Sequence, residues 1–440
     1  MFSKKDLQQL IVPLIIEQFL SITIGMADTV MVSVCGEATV SGVSLVDAIN
    51  ILLINIFSAL ATGGAIVSSQ YIGREEPHQA CEAAKQLILS VFVLSTAIGA
   101  LFVFGGPQIL GFIYHDVEAA VMQNAEIYFF LTALSYPFIA LYNAGAALFR
   151  AMGNSRISMV ISIVMNCINV GGNALFIFGF DMGAAGAALA TLISQLVGGV
   201  LPVFYFIDRS NSSRLHLCKT SFYSKVLRDA CINGSSELMT NLSMSLVNIL
   251  YNYQLLRLAG ENGVAAYGVI MYAAFLFVAV FVGYAVGSAP IVSFHYGARN
   301  HAEVHNLYRK SLRLIAVVAV TLTLASMFII PCVARIFVGY DAELLALTSR
   351  AFRLYALSFL IMGFNVYASS FFTALGDGVT SALISFLRTL AFQVIAILLL
   401  PLLLGIDGIW LAVTAAELAA LAVSAAMLLT KDKVFHYRKA

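Results

Sequence analysis

The sequence predicts an all-α integral membrane protein with twelve transmembrane helices in two six-helix pseudo-repeats that run parallel in the membrane. Of its 440 residues, 60% are hydrophobic and 11% are charged, whereas a soluble domain carries about a quarter charged residues. Apolar stretches recur along the whole chain, each long enough to cross the roughly 30 Å hydrocarbon core of a bilayer. The two halves of the sequence also resemble each other, which indicates an internal repeat.

The apolar stretches and the turn residues between them place the helices and the lobes. The predicted helices cover 10–33, 45–70, 87–105, 126–148, 157–179, 183–207, 230–256, 264–290, 313–331, 351–372, 380–403 and 407–430. The polar stretch 208–229 divides them six from six. We therefore predict an N-lobe over 1–208, a cytoplasmic linker over 209–229 and a C-lobe over 230–440.

The internal repeat supports this division. A shift of about 224 residues pairs Cys35-Gly36-Glu37 with Ala259-Gly260-Glu261, and Gly73 with Gly297. Six helices per repeat start both halves on the same side of the membrane, so the repeats are parallel and enclose a cavity between two lobes. That arrangement is typical of a transporter that works by alternating access.

The positive charges predict the orientation of the helices. If the N-terminus is cytoplasmic, 20 of the 24 Lys and Arg residues, Arg388 among them, fall on the cytoplasmic side. Only Arg257, Arg335, Arg350 and Arg353 fall outside, so both termini are expected in the cytoplasm. A net charge of +1 gives no argument for nucleic acid, and six scattered cysteines indicate neither a disulfide framework nor a metal site.

Several predicted helices carry polar or acidic residues that are costly in a bilayer. An ionised side chain there costs roughly 2.5–3.5 kcal/mol and needs a cavity, a partner or a proton. In helix 7 the polar residues share one face, which should look into the protein or its cavity. The candidates are Glu17, Met26 and Asp28 in helix 1, Tyr136 in helix 4, Asn169 and Asn173 in helix 5, Thr191 in helix 6, Glu237, Asn241, Asn248 and Asn252 in helix 7, and Asn365 in helix 10.

Each candidate also has a simpler interpretation. The Asn residues can hold helices together through interhelical hydrogen bonds. Glu17 and Glu237 can extend toward the membrane interface, and Met26 and Tyr136 can pack between helices rather than line a cavity. Glu417 in the twelfth predicted helix is a further acidic candidate. A purely structural role is the weakest interpretation for Asp28, because a carboxylate packs poorly between apolar helices.

Short motifs resemble one transporter family. Met26-Ala27-Asp28-Thr29-Val30-Met31 and Phe149-Arg150-Ala151-Met152-Gly153-Asn154 resemble motifs of the multidrug and toxic compound extrusion (MATE) family. Gly234-Ser235-Ser236-Glu237-Leu238 resembles one bacterial branch. The resemblance implies a V-shaped pair of six-helix lobes in the bacterial inner membrane. It also implies export of small amphipathic, cationic compounds in exchange for Na⁺ or H⁺. We expect a monomer that carries no cofactor.

The family's cation site maps onto residues of the N-lobe. By resemblance it consists of Asp28, Asn169, Asn173 and Thr191, and some members carry an acid where this chain has Asn173. Other members use a C-lobe site with a helix 7 glutamate, which Glu237 matches, and a helix 10 aspartate, for which only Asn365 is present nearby. The N-lobe site is therefore favoured, and Na⁺ versus H⁺ stays open.

Two other functions compete with cation-coupled multidrug export. A flippase for lipids or lipid-linked precursors would need a strongly basic cavity, and intramembrane Arg and Lys are almost absent from the predicted helices. A polytopic membrane enzyme should carry a sizeable extramembrane loop with clustered acids, but the longest loop, 208–229, is short and basic. The sequence thus predicts an antiporter and not an enzyme.

Overall fold

Every regular element that the structure describes is helical. The computed structural model describes residues 4–114, 117–208, 215–217, 224–339 and 341–437. The α-helices are α1 Lys4–Ser33, α2 Glu37–Gly73, α3 Pro77–Ile113, α4 Ala119–Ala151, α5 Ser155–Asn173, α6 Gly183–Ile207, α7 Ser224–Gly297, α8 His301–Val338, α9 Ala342–Ala356, α10 Phe359–Leu375, α11 Gly378–Phe386, α12 Phe392–Leu404, α13 Ile406–Thr430 and α14 Asp432–Phe435. Two π-helical segments, Ala174–Gly179 and Leu387–Ala391, follow α5 and α11.

The long helix α7 is two membrane spans. Its 74 residues would extend about 110 Å at 1.5 Å per residue, several times the roughly 30 Å hydrocarbon core. The backbone breaks at Gly260, where φ is 61° and ψ is −152°, between the predicted seventh and eighth helices. Ten helices in the described residues are long and apolar enough to span, and the bent pair α9–α10 makes an eleventh. With α7 divided at Gly260, the twelve predicted spans are confirmed.

The structure corrects the shape of three predicted helices. The predicted tenth helix, 351–372, contains a 46° bend between Ala356 and Phe359. The fifth and eleventh change from α- to π-helix along their length. Hydropathy indicates which residues face lipid or core, but it does not report the local winding of the backbone. Neither the bend nor the two π-helical segments was therefore predicted from the sequence.

The internal repeat is visible in the backbone. Left-handed glycines end equivalent helices, at Gly153 (φ 79°) and Gly376 (φ 85°). Glu75 (φ 61°) and Arg299 (φ 55°) are also paired by the repeat and share a positive φ that side chains other than glycine rarely adopt. The two halves therefore follow the same turns, as well as sharing short sequence motifs.

The chain divides into two compact units, one ending at Gly234 and the other beginning at Ser235. In the first unit, α2, α4 and α6 pack around a core that includes Val46, Tyr128, Phe129 and Ala187. Of the predicted linker 209–229, residues 209–214 and 218–223 lie outside the described residues, and α7 already begins at Ser224.

In the second unit, Asp377 ties the start of α11 to the end of α13. Its carboxylate accepts hydrogen bonds from the Thr380 backbone N–H (3.1 Å) and hydroxyl (2.7 Å), and from Lys431 Nζ (2.9 Å). Burial alone would raise the pKa of Asp377, but the bonds from Lys431 and Thr380 outweigh it and hold the pKa below its ordinary value of 3.8.

We expect Asp377→Asn to lower the melting temperature at neutral pH, because the amide caps α11 but cannot pair with Lys431. A carboxyl whose folded-state pKa is lowered stabilises the fold above its ordinary pKa, and that stabilisation is lost as the pH falls through the folded-state value. The difference in melting temperature between variant and wild type should therefore stay constant from pH 7 to pH 5 and shrink below about pH 4. A difference that is unchanged at pH 3 would contradict this. Lys431→Met removes the same ion pair, so it should lower the melting temperature at neutral pH by a similar amount, and its difference from wild type should also shrink below about pH 4.

Candidate cation site

The four residues mapped to the N-lobe site lie in one hydrogen-bonded chain. The Asn173 amide Nδ2 donates to Asp28 Oδ1 and, at 3.4 Å, to Asn169 Oδ1. Asn169 Nδ2 in turn donates to Thr191 Oγ1 at 3.3 Å. The spacing of four between Asn169 and Asn173 puts both on one face of α5, where they bridge Asp28 of α1 and Thr191 of α6.

The cluster offers oxygen ligands to a cation. Asn173 is fully buried, and its Oδ1 has no hydrogen-bond partner among the described groups. Asp28 is half-buried and forms no ion pair with any side chain that the structure describes. Carboxylate, amide and hydroxyl oxygens are the ligands of hard cations, and a carboxylate within a membrane span that lacks a counter-ion is stabilised by binding a cation or a proton.

The π-helical segment Ala174–Gly179 begins directly after Asn173. Such segments are rare and are found frequently at functional sites. The wider turn interrupts the regular ladder of α5 at the position where its side chains meet α1 and α6.

A second carboxylate next to the cluster was missed by sequence reasoning. Asp47 of α2 interacts electrostatically with Asp28 and contacts Tyr128. Its Oδ1 lies 3.4 Å from Asn50 Nδ2, and Asn50 Oδ1 accepts a hydrogen bond of 2.7 Å from the Tyr136 hydroxyl. The signal was available, since Asp47 is an acid in the second predicted helix. Tyr136 is fully buried and supports this network.

Glu17 belongs to a different set of contacts. Its carboxylate is buried and accepts hydrogen bonds from the Tyr142 hydroxyl (3.0 Å) and from Ser158 Oγ (3.1 Å). These bonds satisfy the carboxylate through neutral donors. Met26 lies in α1, but its side chain is outside the described residues.

The helix 7 candidates lie in the second unit. Glu237, Asn241 and Asn252 are half-buried and Asn248 is exposed. Asn252 Nδ2 donates to Asn248 Oδ1 at 3.0 Å. These four residues form a polar stripe along α7. The hydrogen bond between Asn252 and Asn248 lies within that helix.

Asn365 lies in a buried polar cluster of the second unit. Its Nδ2 donates to Glu417 Oε2 at 2.7 Å and to the Glu417 backbone carbonyl at 2.9 Å. Glu417 Oε1 accepts a 2.8 Å hydrogen bond from Arg388 Nε. The prediction that placed Arg388 on the cytoplasmic side is wrong, because this residue lies inside the span Gly378–Leu404 with its side chain 10% exposed. Counting charges by their nearest helix end cannot recognise an arginine neutralised by an acid from another helix.

Known proteins resemble the chain over its full length. The family model described as MatE matches residues 13–175 and again 238–399, once in each half. The multidrug export protein MepA of Staphylococcus saprophyticus is 22% identical over 98% of this chain and 94% of its own length. The uncharacterized transporter YisQ of Bacillus subtilis is 28% identical, over 53% of each chain.

The fold is also that of a solved structure. The crystal structure of MATE in complex with MaL6 superimposes with a TM-score of 0.91 and 21% identity, covering 99% of this chain and 97% of that one. The double match of the family model covers well over half of the chain and follows the internal repeat. On these grounds the chain belongs to the MatE family of multidrug and toxic compound extrusion transporters.

Proposed function

We propose that this protein is a secondary active multidrug exporter that exchanges Na⁺ or H⁺ for small amphipathic, cationic compounds by alternating access. It acts as a monomer in the bacterial inner membrane with both termini in the cytoplasm. The family and the export activity in the name of MepA support the class of function. The charge distribution supports the orientation.

One observation carries the choice of the coupling site. Asp28 is a carboxylate without an ion-pair partner among the described side chains, and it contacts Asn173, whose buried Oδ1 is unpartnered. A cation or proton there neutralises Asp28 and removes its attraction for a cationic compound. Because a ligand shifts a conformational equilibrium only through different affinity for the two states, ion binding at Asp28 must favour one state of α1 over the other.

The function is tested by efflux of ethidium from proteoliposomes that contain the purified protein. An imposed Na⁺ or H⁺ gradient should drive efflux well above that of protein-free liposomes, and dissipation of the gradient should stop it. Fluorescent lipid analogues should not exchange between leaflets under the same gradients. Lipid exchange without ethidium efflux would favour the flippase instead.

We expect Asn173→Asp to strengthen cation binding, because it places a second carboxylate in hydrogen-bond contact with Asp28. Two carboxylates in one site cannot both ionise without a compensating cation. The half-saturating concentration of the driving cation should fall by about tenfold, which corresponds to roughly 1.4 kcal/mol. The measurement is the initial rate of ethidium efflux as a function of cation concentration.

The matched control is Asn166→Asp, which adds the same charge to the same helix seven residues, or about two turns, before Asn173. Asn166 is hydrogen-bonded to Ser162 and not to Asp28. Its half-saturating concentration should stay at the wild-type value. Equal shifts in both variants would mean that charge anywhere on α5 suffices, which would exclude a specific role for position 173.

A further inference from the structure

The C-lobe contains a buried ion pair that cation exchange at Asp28 does not use. Glu417 of α13 is fully buried, and the Arg388 side chain is 10% exposed. Arg388 Nε lies 2.8 Å from Glu417 Oε1. Both residues lie within membrane-spanning helices, where isolated charges are expensive and therefore mark function or a specific partner.

Asn365 contacts Glu417 and carries an amide oxygen that is unpartnered among the described groups. Its Nδ2 donates to Glu417 Oε2 at 2.7 Å, whereas its own Oδ1 is buried without a partner among the described groups. A carboxylate contacted by an asparagine with an unpaired amide oxygen is also the arrangement of Asp28 and Asn173 in the N-lobe. The chemical difference is the guanidinium, which neutralises Glu417, whereas Asp28 has no such partner among the described side chains.

We propose that Arg388 is a built-in counter-ion that occupies a cation site in the C-lobe and closes it to exchangeable cations. The site consists of the Glu417 carboxylate and the Asn365 amide oxygen, and it would take Na⁺ or a proton once the guanidinium is removed. This inference goes beyond the proposed function and does not depend on Asp28.

Stability alone does not require this pair. Buried ion pairs can often be replaced by well-packed apolar residues of similar volume without loss of stability. Arg388 lies in the π-helical segment Leu387–Ala391. Such segments are rare and are found frequently at functional sites. The pair therefore fits a site-specific role in which a permanent charge replaces an exchangeable one.

The chain contains its own reporter for the C-lobe site. Trp410 is the single tryptophan of the sequence and is 1% exposed on α13. It precedes Glu417 by seven residues, which is about two turns, or roughly 10 Å along the same helix face. A change of charge or packing at Glu417 should alter its fluorescence.

The experiment measures Trp410 fluorescence of the purified full chain during titration with NaCl against choline chloride, and separately with acid. All variants carry Asp28→Asn, so that the Asp28 carboxylate cannot respond. The Trp410 fluorescence of D28N alone should not change during either titration. That of D28N/R388M should show a saturable change with Na⁺, with acid, or with both. Adding E417Q should abolish that change, and D28N/R388K, which retains a cation, should be silent. Tyr355 also interacts electrostatically with Glu417 and Arg388. If the response comes from Glu417 and not from Tyr355, D28N/R388M/Y355F should still show it.

Melting temperature provides a second readout if loss of the guanidinium weakens folding. The melting temperature of D28N/R388M should rise with Na⁺ or with acid, and that of D28N/R388M/E417Q should not. If D28N/R388M shows neither a fluorescence response nor a rise in melting temperature, the pair is structural only and the proposal is wrong. A saturable Na⁺ response of D28N alone would also overturn it, because the site would then be open with Arg388 in place.

Discussion

Asp28→Asn should reduce ion-driven ethidium efflux from proteoliposomes to the level of protein-free liposomes. The amide preserves the shape of the side chain but removes the charge that binds the coupling cation. No other acid takes this position in the hydrogen-bonded chain through Asn173, Asn169 and Thr191 among the described residues. The initial rate of efflux under imposed Na⁺ and H⁺ gradients measures the loss.

Two controls separate this effect from damage to α1. Thr29→Val alters the next residue of the same helix, whose hydroxyl is bonded to the Gly25 carbonyl within that helix, and should export at the wild-type rate. Asp28→Glu keeps the charge and should retain ion dependence at a reduced rate. Release of prebound ethidium by added Na⁺ or acid should be lost in Asp28→Asn only. If Asp28→Asn exports like wild type down the same gradient, the coupling site lies elsewhere.

The helices and the repeat were predictable because they depend on patterns that every residue of a span shares. Twenty apolar residues must cross the bilayer as a helix, since hydrocarbon offers no partner for backbone groups. The break at Gly260 was placed correctly between two predicted helices because glycine and polar residues interrupt the apolar pattern there. The bend between α9 and α10 lies in a largely apolar stretch, where Ser358 alone interrupts the pattern and no glycine marks the break.

The candidate site was predictable only in part. Spacing placed Asn169 and Asn173 on one face of α5, but only the family resemblance joined them to Asp28 and Thr191, because periodicity does not identify the neighbouring helix. Asp47 met the criterion already applied to Asp28 and could have been found. Whether these residues bind the coupling ion stays a prediction.

The contacts of the C-lobe cluster could not be predicted from the sequence. Arg388 looked like a cytoplasmic charge near a helix start, and Glu417 like an isolated acid, because their contact joins residues 29 positions apart. Neither residue alone predicts the other. The pair also gives Asn365 a different environment from the one expected, because this residue, which lies near the position of a family aspartate, is hydrogen-bonded to Glu417.

Glu417→Gln should lower the stability of the fold more than Asp377→Asn or Lys431→Met does. It leaves the Arg388 guanidinium buried in the membrane-spanning region without its carboxylate, and removing one partner of a buried pair costs about 3–5 kcal/mol. The melting temperature in detergent, followed by size-exclusion chromatography of heated samples, measures this loss.

The double variant R388M/E417Q is the decisive comparison. It removes both charges while methionine fills much of the arginine volume, so most of the lost melting temperature should return. A double variant as unstable as E417Q would show that packing around Arg388, and not its unpaired charge, is the cause. A stable E417Q would show instead that water or another group already solvates the guanidinium, which would also remove the basis for treating Glu417 as its obligatory partner.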